Sequence, residues 1–137
     1  IAGGRYRYDY ALMNFDFMRA VTTGAEPNLA IVSNLGVGAL SLPLASISGV
    51  STDMHLGSEF AVEPWSVDHS NQMLRFAAPE GGSQTWGALY RFSVTTNLPP
   101  QTGVATLTPA QSGSPANFAI DTLVPSTSEF LFVNGFE

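Results

Sequence analysis

The chain contains no cysteine, which excludes disulfide bonds, thiolate metal sites and cysteine nucleophiles. It also contains no lysine, which excludes Schiff-base chemistry and lysine–asparagine isopeptide crosslinks. Its five basic residues are scattered arginines, and the formal net charge is −6. Because nucleic acids and anionic membrane surfaces are recognised by clustered cations, neither is an expected partner.

Long apolar runs are also missing. The most apolar stretch, LGVGALSLPLASISGV (35–50), is interrupted by Gly, Ser and Pro, and is too short to cross a bilayer as a helix. The sequence begins with neither Met nor a basic and apolar signal segment, so we expect a mature product or a piece of a longer polypeptide.

The residues that are present indicate an all-β protein. The 137 residues are the size of one domain, 45% of them are hydrophobic, and 13 Gly and 9 Pro mark many turns. Turn signals recur at a spacing of about 8–12 residues, which is typical of sandwiches and barrels. We therefore predict a single antiparallel β-sandwich over residues 1–137, jelly-roll-like or Ig-like, with about 8–10 short strands.

The clearest strand is WGALYRFSV (86–94). Tyr90, Phe92 and Val94 fall on one face and alternate with Leu89, Arg91 and Ser93 on the other. Such alternation predicts a core strand with one buried and one mixed face.

Several segments together resemble a known domain. They are RYRYDYALMN (5–14), WGALYRFSV (86–94), NLPPQTGVATLTP (97–109) and SGSPANFAIDTLVPS (112–126). The pattern resembles the C-terminal β-rich domain of uncharacterised secreted bacterial proteins, and the tail FVNGFE (132–137) resembles a terminal Asn-Gly-Phe-Glu motif of exported proteins. The resemblance implies secretion or surface display and a place at the end of a longer exported polypeptide. It brings no activity with it, and STDMHLGSEF (51–60) departs from a His- and Asp-rich loop of the family.

Four side chains are candidate metal ligands: Asp53, His55, Glu59 and Asp68. Asp53 and His55 are two positions apart, so on a strand they share a face. Carboxylates in loops of extracellular β-domains often bind calcium, which makes Ca²⁺ the candidate ion. The alternative is a set of solvated surface acids that keep the domain soluble.

No catalytic constellation is evident from the sequence. There is no Gly-x-Ser-x-Gly elbow, and Glu59 and Glu63 would be about 13 Å apart on a strand, too far for a retaining glycosidase. We therefore expect a protein that is not an enzyme. A hydrolase without a recognisable motif is the third alternative.

Aromatic residues offer a binding function. Exposed Trp or Tyr rings can stack on sugars, and Trp65 and Trp86 are the candidate ligand-binding residues. Trp65 follows Pro64 and is expected near a strand end, exposed. The stripe of Tyr6, Tyr8 and Tyr10 is expected in the core or in an interface.

Both ends of the chain are apolar and strand-like, which indicates assembly. The candidate assembly strands carry Tyr6, Tyr8 and Tyr10 at one end and Phe130 and Phe132 at the other. An unpaired terminal strand is a template for pairing with another chain, although both ends could instead pair within their own domain. The sequence thus predicts a non-catalytic extracellular structural or self-assembly module whose partners are its own copies or the upstream polypeptide. A carbohydrate-binding accessory domain is the alternative.

Overall fold

A computed structural model describes residues 4–15, 21–28, 30–33, 36–57, 62–84, 87–112 and 115–127. Ten strands occur in these ranges: β1 Tyr6–Met13, β2 Val21–Thr23, β3 Ala30–Ser33, β4 Val37–Pro43, β5 Ser51–Gly57, β6 Ser66–Ser70, β7 Met73–Ala77, β8 Leu89–Thr96, β9 Pro100–Pro109 and β10 Phe118–Pro125. None of the described residues belongs to a helix that is long and apolar enough to cross a membrane.

The strands form two main antiparallel sheets that pack against each other. One sheet has the order β1-β8-β5 and the other has the order β10-β9-β4-β7-β6. Strands β2 and β3 form a separate two-stranded sheet. The structure thus confirms the predicted all-β sandwich.

Alternation along the strands produces the core. The predicted core strand is β8, the central strand of its sheet, and Tyr90, Phe92 and Val94 are all buried. The ring of Phe92 packs on Phe76 of the other sheet, with centroids 4.9 Å apart. Because apolar side chains point inward on both sheets, the core lies between the two layers.

Strand β5 occupies most of the segment in which this chain departs from the family pattern. The segment STDMHLGSEF stands where the family has a His- and Asp-rich loop, whereas β5 covers Ser51–Gly57. The strand pairs with β8 over its whole length, so neighbouring strands decide its structure. The alternation of apolar and polar residues along β5 is weak, because only Met54 and Leu56 are large and apolar.

The side chain of Gln84 forms a buried polar junction between the two sheets. Its Nε2 donates hydrogen bonds to the carbonyl oxygens of Leu12 at 2.6 Å and Ala88 at 2.8 Å. Its backbone pairs with Val37 of the five-stranded sheet in both directions, at 2.8 and 3.2 Å. Asn14, just after β1, donates to the Gln84 carbonyl at 3.1 Å. This junction therefore fixes where one end of β1 lies relative to β4.

Replacement of Gln84 by Ala should lower the free energy of unfolding by about 2–4 kcal/mol, because two hydrogen bonds disappear and a cavity opens at a fully buried position. Urea unfolding followed by circular dichroism measures this change. The exposed Gln111→Ala is the matched control and should stay within about 0.5 kcal/mol of the parent chain. Equal stability of the two variants would contradict a structural role for the junction.

Candidate functional site

The outer surface of the three-stranded sheet carries a set of polar side chains, and we call it the polar face. Its members are Arg7, Asp9, Asp53, His55, Arg91 and Ser93. Asp9, Ser93 and Asp53 lie directly opposite one another on the three strands. Arg91 and His55 form the next row. Directly opposite side chains in antiparallel sheets are close enough to interact.

Hydrogen bonds connect Arg7, Asp9 and Ser93. The Arg7 Nε donates to both carboxylate oxygens of Asp9, at 3.0 and 3.1 Å, and Arg7 Nη2 donates to Ser93 Oγ at 3.2 Å. The Ser93 hydroxyl in turn donates to Asp9 Oδ1. Ser93 is only 2% exposed although it points away from the core. Each polar group in this triplet therefore has a partner.

A second ion pair is weaker. Arg91 Nη2 lies 3.9 Å from Asp53 Oδ2, and both side chains are at least half exposed. Exposed pairs at such distances contribute little to stability, about 0–1 kcal/mol. The polar face therefore carries charges of both signs that largely neutralise one another.

The environment of Asp9 holds the pKa of its carboxyl below the ordinary value. The main cause is the hydrogen bond from Ser93, and the hydrogen bond and positive charge of Arg7 act in the same direction. A general base works best when its pKa is near the operating pH. Because the pKa of Asp9 is moved further below neutrality, the carboxylate is a poor base for activating the Ser93 hydroxyl.

The predicted metal ligands do not converge in the structure. Asp53 and His55 share the polar face, as their spacing predicts, but Asp68 lies opposite Arg75 on the outer side of the other sheet. The chain crosses from one sheet to the other between β5 and β6, which separates these side chains. The described residues contain no group of three His, Cys, Asp or Glu that could hold one metal ion. The structure therefore does not bring Asp68 together with Asp53, and Glu59 lies outside the described residues.

The expectation that Trp65 is exposed is also wrong. The side chain is only 5% exposed and belongs to the core. Its ring centroid lies 5.4 Å from those of Tyr90, edge to face, and of Phe92, tilted. The chain after Pro64 turns this residue inward just before β6 begins, so it presents no flat face to a sugar. Trp86 lies outside the described residues.

The tyrosine stripe of β1 faces the core. Tyr8 is buried, and its hydroxyl donates to the Leu98 carbonyl at 2.7 Å. The hydroxyl of Tyr10 donates to the carbonyl of Leu123 in β10 at 2.8 Å. Burial raises the pKa of Tyr8 to about 12 and raises the pKa of Tyr10 as well. Of the two locations expected for this stripe, the structure selects the core.

Of the two candidate assembly segments, only the N-terminal one lies within the described residues. Strand β1, which carries Tyr6, Tyr8 and Tyr10, pairs with β8 of its own domain along its whole length. Exchange of β1 into a neighbour is therefore not needed to complete the sheet. Phe130 and Phe132 lie outside the described residues.

Strands β9 and β10 form a shallow groove that was not predicted from the sequence. It has a volume of about 620 Å³ and is lined by Thr102, Gly103, Val104, Asp121, Thr122 and Leu123. Val104 and Leu123 are exposed, so the groove is mainly apolar with one carboxylate. The alternation of side chains along β9 and β10 places the apolar residues Val104 and Leu123 on the outer face, and this pattern could have indicated the groove. The lining residues include no His, Ser or Cys that could act as a nucleophile or base.

Replacement of Trp65 by Ala should lower the free energy of unfolding by about 3–5 kcal/mol, because a large buried ring is lost. Denaturant titration measures the change, with the exposed Ile47→Ala as the control expected near zero. Full stability of the Trp65 variant together with loss of binding on a glycan array would instead mark Trp65 as a sugar platform.

Replacement of Ser93 by Ala should raise the pKa of Asp9 towards its ordinary value, because the largest lowering contribution is removed. A lowered pKa means that ionised Asp9 stabilises the fold above its ordinary pKa, and that this contribution is lost as the pH falls through the lowered value. The variant should therefore lose less stability on acidification. Carboxyl-detected NMR titration gives the pKa, and Ser51→Ala, on an exposed position of the same sheet, should leave it unchanged.

Comparison with known proteins gives no match: no protein-family model, no curated protein and no solved structure matches this chain. The resemblance to exported bacterial domains therefore stays a prediction.

Proposed function

We propose that this chain is a non-catalytic structural module of a secreted or cell-surface bacterial protein, and that it works by associating with other chains. One observation carries the proposal. The two outermost strands on one side of the sandwich, β1 and β10, each pair with a neighbour on a single side within the described part of the chain.

The two open strands lie next to each other. Strand β1 contacts β10 across the sandwich, and the hydrogen bond from Tyr10 to the Leu123 carbonyl joins them. Each strand is eight residues long and pairs with its neighbour without a bulge. A long, regular edge presents unpaired backbone N–H and C=O groups, which another strand can satisfy.

The polar side chains support a structural role. Arg7, Asp9 and Ser93 satisfy one another, and Arg91 and Asp53 approach each other as an exposed pair. The groove on β9 and β10 offers apolar surface and a single carboxylate. This is the chemistry of a contact surface. Secretion and bacterial origin are proposed on the resemblance of the sequence segments described above.

Multi-angle light scattering over a dilution series tests the proposal, with electron microscopy of negatively stained samples to show the shape of any assembly. We expect the mass to rise with protein concentration, by the same amount with Ca²⁺ and with a chelator, since the described carboxylates do not converge on one ion. The mass of a single chain at every concentration in both solutions would contradict the proposal.

A further inference from the structure

The charge pattern of β1 is complementary to itself. Arg7 and Asp9 are two positions apart, point to the polar face, and are about half exposed, at 52% and 48% of their side-chain surfaces. Among the described residues, they lie on β1, one of the two edge strands of the three-stranded sheet. Any strand that pairs with the open side of β1 will therefore have a positive side chain and a negative side chain at two successive positions of the polar face.

We propose that a second copy of the chain pairs antiparallel with β1, with a two-fold axis at Tyr8. This inference rests on the proposed function and names its partner and surface. In this register Arg7 lies directly opposite Asp9 of the second copy, and Asp9 lies opposite its Arg7. Directly opposite residues in a hydrogen-bonded antiparallel pair have Cα atoms about 5.5 Å apart, so two reciprocal ion pairs form.

The neighbouring registers are disfavoured by charge. A two-fold axis at Arg7 places two arginines opposite each other, and an axis at Asp9 places two carboxylates opposite each other, both of which are repulsive. An axis at Tyr10 leaves Arg7 opposite Met13, without an acidic partner. An axis at Arg7 also places Asp9 opposite Arg5, but only the axis at Tyr8 matches opposite charges without a like-charge pair, so the charges of β1 favour this register.

The inner side of β1 is compatible with the same register. Successive side chains of a strand point to opposite faces, and directly opposite residues of two paired strands point to the same face. A register that pairs odd positions with odd positions therefore keeps the core-facing sides of both copies on the same face of the joined sheet. Tyr6 then lies opposite Tyr10 of the second copy, which gives two aromatic cross-strand pairs. Tyr10 is already held by its hydrogen bond to Leu123, so little freedom is lost on pairing.

Ser93 prepares the polar side for this contact. Its hydroxyl donates a hydrogen bond to Asp9 and accepts one from Arg7, so both side chains have a defined orientation on the polar face before a partner arrives. The two three-stranded sheets would then join into one continuous antiparallel sheet, with the ion pairs on its exposed surface. Exposed ion pairs are screened by salt, so dimerisation should weaken as ionic strength rises.

Charge-reversal variants test the register. Arg7→Asp places carboxylates opposite carboxylates, and Asp9→Arg places guanidinium groups opposite guanidinium groups. Each variant alone should dimerise about tenfold more weakly than the parent chain, since two attractive pairs become repulsive. An equimolar mixture of the two variants should form a heterodimer, because every opposite pair in it is again attractive. The double variant R7D/D9R should dimerise within about threefold of the parent chain.

Matched controls lie on the other sheet. Arg75→Asp and Asp68→Arg make the same changes of net charge at exposed positions on the outer side of β7 and β6. They should leave dimerisation unchanged, and urea unfolding checks that every variant is folded. The heterodimer also separates the interface from stability, because a variant weakened only within its own chain would not be rescued by mixing.

Light scattering and analytical ultracentrifugation give outcomes that separate the two proposals. Recovery of the dimer in the mixture supports pairing at Tyr8. Association of the parent chain that neither single variant alters overturns this register and leaves the proposed function standing, through another surface. A parent chain that stays monomeric at every concentration overturns both.

Discussion

The contact between Phe92 and Phe76 joins the two sheets, and the rest of the structure depends on it. Phe92 lies on the central strand of the three-stranded sheet, and Phe76 lies on β7 of the other. Trp65 packs on Phe92 from the segment that crosses between the sheets. All three rings are buried, so this cluster removes a large apolar area from water, and burial of such area is the main favourable contribution to folding.

The same contact determines what the outside of the sheet presents. Successive side chains of a strand point to opposite faces, so burial of Phe92 and Val94 directs Ser93 outward. There it meets Asp9 and Arg7 on the neighbouring strand. An inter-sheet packing contact therefore places a hydroxyl where it orients two charges at the edge of the sandwich, which links the core to the proposed interface.

Charged residues on an edge strand usually protect a sheet from unwanted pairing. Arg7 and Asp9 can protect the edge in this way and still allow one partner to pair. They repel a strand that places a like charge opposite either of them, and they attract one that places an acid opposite Arg7 and a base opposite Asp9. Specificity of this kind needs repulsive as well as attractive combinations. The two-residue spacing of Arg7 and Asp9 supplies both kinds of combination, since only one of the neighbouring registers places each of them opposite a residue of the other charge.

The local pattern of the sequence was sufficient to predict the sandwich and the core strand with Tyr90, Phe92 and Val94, because the alternation of a strand is written in consecutive residues. It also placed Asp53 and His55 on one face. The burial of Trp65, the separation of Asp53 from Asp68 and the bond between Asp9 and Ser93, 84 residues away, could not be read in this way. These features depend on which strands become neighbours and where the chain crosses between sheets, and such pairings arise from contacts among distant segments.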